Sequence, residues 1–159
     1  MSNSNRSLTF TKYFIIMTFI IASFSALFTI SDFFSKPMSN NLLNLSNKGL
    51  YYFLAYAIQM VIILIILILA YQLVQNINIK DYFNTINYDK LLLIAILTII
   101  YGSLNLLKKY LNVSNEYRSL FDTTVDTNQL LFLLSMVILT SLSIYEESKK
   151  IKEENDLTI

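Results

Sequence analysis

The sequence predicts an all-α integral membrane four-helix bundle with a cytoplasmic C-terminal helical extension, and three observations predict it. The first is the run from Leu50 to Gln75, which carries no charge and holds nine consecutive aliphatic residues, Val61 to Leu69. At 1.5 Å per residue it is about 39 Å long, more than the roughly 30 Å of a hydrocarbon core. The second is the spacing of charge. Lys12 and Asp32, Lys48 and Lys80, Lys90 and Lys108, and Asp126 and Glu146 bracket four uncharged gaps, each long enough for a helix of about 17 to 25 residues. The third is the placing of Tyr13, Phe33, Phe34, Tyr51, Tyr52, Tyr71, Tyr110 and Tyr145 near the ends of those gaps, the aromatic belt expected at a headgroup boundary. Together they give a single membrane domain over 1–159, with spans at about 13–34, 50–75, 91–107 and 129–145.

The polar head to Lys12, the apolar Tyr13 to Ala22 and the small Ser23 and Ser25 imitate a signal peptide. The apolar pattern continues to Phe34, too long for a signal sequence, so the segment is read as a retained first span. Pro37 and a Ser and Asn cluster mark 35–49 as a connection. After the second span, 76–90 is a polar linker in which Asn84 is a helix N-cap candidate for span three. With 17 uncharged residues, span three sits near the lower limit, so Lys90, Lys108 and Lys109 are expected to snorkel towards the headgroups. In the longest connection, 110–128, Tyr117, Leu120 and Phe121 fall at i, i+3 and i+4, as on one face of a short helix lying in the interface, but the segment has too few basic residues for a dedicated surface helix, so an ordinary loop cap over the bundle is the favoured reading. Beyond span four, Glu146 with Lys150 is a favourable i, i+4 pair that supports a helix standing in water.

Four spans place both termini on one side. With the termini inside, Arg6, Lys12, Lys80, Lys90, Lys149, Lys150 and Lys152 face the cytoplasm against Lys36, Lys48, Lys108, Lys109 and Arg118 outside. Seven against five favours that orientation by a small margin.

Composition excludes several functions. The chain has no Cys and no His, hence no thiolate nucleophile, imidazole base or usual zinc or haem ligand set. A formal net charge of +1 and the lack of a basic, aromatic-interleaved stretch exclude direct nucleic-acid binding. Every lysine is placed in a loop or tail, so Ser-Lys catalysis has no lysine at depth, and Asp32 is read as interfacial. No enzyme, cofactor or metal site is expected.

Ser25, Gln59, Thr98 and Ser135 are placed at similar depth near the midplane. Such side chains serve as helix glue worth about 0.6 to 2 kcal/mol each, or line a small neutral polar site. Ala22 with Ala26, and Thr98 with Gly102, suit close helix approach.

The run Tyr71 to Leu97, with Phe83, Asn87 and Leu91 at four-residue intervals, resembles the central segment of a domain-of-unknown-function family of small bacterial four-span membrane proteins. The ending Glu154, Asn155, Asp156, Leu157, Thr158 and Ile159 is similar to that family's C-terminal signature, Glu-Asn-Asp-Leu-Thr-Ile or its valine variant. The linker departs from the family pattern in lacking the glycine often found before the Phe. Family members are commonly encoded beside a small helix-turn-helix regulator, so the resemblance implies a cytoplasmic protein partner and no catalytic residue or cofactor. The expected role is that of a non-catalytic accessory or regulatory membrane protein acting through Phe83, Asn87, Leu91 and the tail. The alternative is a small transporter or channel component using the midplane layer.

Overall fold

A computed structural model of the chain describes residues 3–37, 39, 47–76, 85–121 and 153–154, with side chains from Thr9 onward. Four helices follow in order: α1, Asn3–Ser35; α2, Lys48–Asn76; α3, Thr85–Tyr110; and α4, Asn115–Phe121. The first three are long and apolar enough to cross a membrane, over Thr9–Ser35, Lys48–Asn76 and Thr85–Tyr110. The predicted fourth span, Gln129 to Tyr145, lies outside the described residues, as do Asn84, Phe83, Ser135 and Asn155 to Ile159.

Each boundary has a local cause. Nothing in the polar head breaks a helix, so α1 begins ten residues before the expected apolar edge at Tyr13. It stops where Pro37 disfavours the helical conformation for the residue before it, and the Lys36 amide turns back to the Phe33 carbonyl at 3.1 Å. At this end Lys36 pairs with Asp32 at 2.9 Å, both partly exposed, in keeping with an interfacial acid. Asn47 caps α2: its Oδ1 accepts from the Gly49 amide at 2.9 Å, satisfying one of the orphan donors of the first turn. Asn112 ends the turn after α3 with a φ of 41°, a left-handed conformation that Asn tolerates better than most residues.

Span three is longer than the charge gap suggested. With 26 residues, α3 reaches about 39 Å, because Tyr88, Asp89 and Lys90 are helical at one end and Lys108, Lys109 and Tyr110 at the other. Charge marks the edge of the apolar run and does not end the helix.

α2 is the central element. Both α1 and α3 pack on it and, among the described residues, not on each other, while α4 lies across the ends of α2 and α1. Ala22, half-buried, and Ala26, buried, lie on α1, and Thr98 and Gly102 are both buried on α3. Beneath α4 sits an aromatic core of Phe33, Tyr52, Tyr56, Tyr117 and Phe121, flanked by Ile30, Leu50 and Phe53. Its rings meet in stacked and tilted pairs, with Phe33 and Phe53 at 5.1 Å and Tyr56 and Phe121 at 4.9 Å between centroids. The segment around Tyr117 therefore caps the bundle, but as a helix where the sequence favours a loop, with Tyr117 and Phe121 turned into the core.

That core corrects the aromatic belt. Tyr13, Phe34, Tyr51 and Tyr110 are exposed, but Phe33 and Tyr52 are buried. Adjacent residues on a helix point about 100° apart, so of Phe33-Phe34 and Tyr51-Tyr52 one ring faces the core and the other the surroundings.

Candidate functional site

The heptad-like series Ile94, Thr98, Tyr101, Asn105 and Lys108 runs down one side of α3, and Tyr52, Tyr56 and Gln59 lie together on α2. Packing these faces brings a lysine into the bundle. Lys108, expected to snorkel, is 4% exposed. This is a correction: the described spans do contain a buried ionisable residue.

The ammonium of Lys108 donates to the main-chain carbonyl of Phe121 at 2.7 Å and to Oε1 of Gln59 at 3.4 Å. It also stands 4.8 Å from the centre of the Tyr52 ring and 5.9 Å from that of Tyr56, within the range of cation–π attraction. Phe121 is the last described residue of α4, and its carbonyl oxygen takes the ammonium as a main-chain acceptor from a separate helix. A single side chain thus links α2, α3 and α4.

Gln59 is fully buried. Its Nε2 donates to the Tyr101 carbonyl at 3.3 Å and to Oδ1 of Asn105 at 2.6 Å, while its oxygen accepts from Lys108. Among the described residues no buried side-chain nitrogen or oxygen lacks a partner, which is what a polar cluster in an apolar bundle requires to be stable.

The other candidates are dispersed. Thr98 is buried, but its hydroxyl donates to the Ile94 and Ala95 carbonyls of its own helix at 3.0 and 2.8 Å. Ser25 is exposed on α1. Asn87 is buried and its Oδ1 accepts from Nδ2 of Asn76 at 3.1 Å, pinning the end of α2 to the start of α3. Leu91 is half-buried, and Glu154 is exposed on a helical residue. Lys108 falls just beyond the uncharged run that ends at Leu107, while Asn105 lies inside it and is marked by no charge or motif; continuing the 94, 98, 101 spacing by four and three residues reaches both.

No family model matches the chain, and no similarity to a curated protein or to a solved structure is found.

Proposed function

We propose that this chain is a non-catalytic accessory or regulatory protein of a cell membrane, with its termini in the cytoplasm, working through the 76–90 linker and the segment after Tyr145. The observation that carries this reading is the engagement of Gln59. In the most apolar helix, the Gln59 amide, away from the helix ends, has both donors and its oxygen committed to α3, so the polar groups at depth serve cohesion of the bundle. A solute site would need such groups free to exchange partners. Recognition is then left to the segments beyond the helices, and the partner we favour is the small helix-turn-helix regulator implied by the family resemblance.

The charged pairs from Glu146 to Glu154 support a helix that stands in water, with exposed pairs worth only a few tenths of a kcal/mol each. The aliphatic side chains of Leu157 and Ile159 suit capture in a pocket or at a sheet edge. Deleting Asn155 to Ile159 is expected to leave expression and thermal stability in detergent unchanged while abolishing in-cell crosslinking of the C-terminal segment to its partner. A melting temperature lower by several degrees would make the tail part of the fold and sink the proposal. Orientation has its own check: Asn115→Cys is expected to react with an impermeant thiol reagent on sealed cells and Ser148→Cys to be protected, the opposite pattern reversing the topology.

A further inference from the structure

Towards the end of the bundle where α1 begins and α2 finishes, a half-open cleft of about 180 Å³ is lined by Ile15, Ile16 and Phe19 of α1 and by Leu67, Ile68 and Tyr71 of α2. The surface it presents is wholly apolar, so it suits an aliphatic chain and offers nothing to a solute that needs hydrogen bonds. Its charge lies at one end. Lys12 precedes Ile15, Ile16 and Phe19 by three, four and seven residues, which puts it on the cleft side of α1. Lys12 is also the last charge before the uncharged run to Asp32, the position of a headgroup-level anchor. It is half-buried. From Lys12 to Phe19 the helix descends about 10 Å, the depth at which a phospholipid bound at Lys12 carries its upper acyl segment.

We propose that this cleft binds one acidic phospholipid, its phosphate meeting the Lys12 ammonium and one acyl chain lying along Phe19, Leu67 and Ile68. Charge complementarity sets the headgroup class: a zwitterionic lipid fills the cleft equally well but brings no net negative charge to Lys12.

The test uses the full chain, extracted from vesicles of equal phosphatidylglycerol and phosphatidylcholine and released into native mass spectrometry. The wild type is expected to keep one phosphatidylglycerol in preference to phosphatidylcholine, and Lys12→Gln to lower that preference about fivefold, the change expected for one basic residue at a membrane surface. Ile16→Trp, at a partly exposed position that tolerates bulk, is expected to lose both lipids by filling the cleft. Lys48→Gln, an exposed lysine at the opposite membrane face, is expected to change nothing. Retention of the preference in Lys12→Gln, retention of lipid in Ile16→Trp, or an equal loss in Lys48→Gln would each overturn the site.

Discussion

Replacing Lys108 by Met is expected to destabilise the protein in detergent by about 3 kcal/mol, although methionine keeps much of the side chain's volume and apolar stem. The reason is what remains behind. The Phe121 carbonyl and Oε1 of Gln59 both accept from the ammonium, and a buried acceptor left without a donor costs about 1 to 3 kcal/mol. The aromatic rings of Tyr52 and Tyr56 lose their cation as well. Lys109→Met, one residue away and exposed, is the control and is expected to stay within about 0.5 kcal/mol of wild type. Thermal unfolding of the two variants in one detergent separates them; equal melting temperatures would show that Lys108 contributes nothing by its burial. In the same assay Gln59→Leu is expected to cost about 2 kcal/mol, the upper end of the range for a polar residue acting as helix glue. It strips partners from both Asn105 and Lys108 instead of removing an isolated amide.

A second large effect is expected at Gly49. A Cβ there would lie 2.6 Å from Cε1 and from the hydroxyl oxygen of Tyr117, well inside van der Waals contact. Tyr117 is itself buried among Phe33 and Phe121, so its ring cannot move aside without lifting α4. Gly49→Ala is therefore expected to cost about 1 to 3 kcal/mol as an overpacked site, offset by less than about 1 kcal/mol of helix propensity because the position lies in the first turn. The specific readout is proteolysis. Arg118, half-buried on α4, should become a trypsin site in Gly49→Ala while that bond stays uncut in the wild type. An alanine variant as resistant as wild type would mean that α4 accommodates the methyl, and the close approach would not be what seats the cap.

Much of the bundle is legible in the chain because its solvent selects on one property. A run such as Val61 to Leu69 reports transfer into hydrocarbon, and that preference is local to the sequence. The positions of three spans follow from it. The site does not, because burial inside a bundle depends on which face of a helix meets its neighbour. Phe33 and Phe34 are equally apolar, yet one is fully buried and the other more than half exposed. Lys108 carries the strongest signal against burial, and partners from two other helices reverse it, the Phe121 carbonyl of α4 and the Gln59 amide and tyrosine rings of α2. Asn87 shows the same limit: its side chain accepts from Asn76, a pairing between helices that its spacing from Leu91 does not signal. Helix ends were also hard to read, since Lys90 and Lys108 bound the apolar run but both lie within α3.

The bond from Lys108 to Phe121 has a consequence for biogenesis. Its acceptor is encoded 13 residues after the lysine, so the third span leaves the ribosome before the group that holds its ammonium exists. At about 5 to 20 residues per second the interval is on the order of one second. During that time the side chain, close to the end of α3, can extend to the headgroups in the way its sequence position suggests. Only when α4 has been synthesised and laid over the bundle does the lysine exchange the lipid boundary for the carbonyl. The snorkelling lysine and the buried one are then successive states of one residue, separated by the seating of α4.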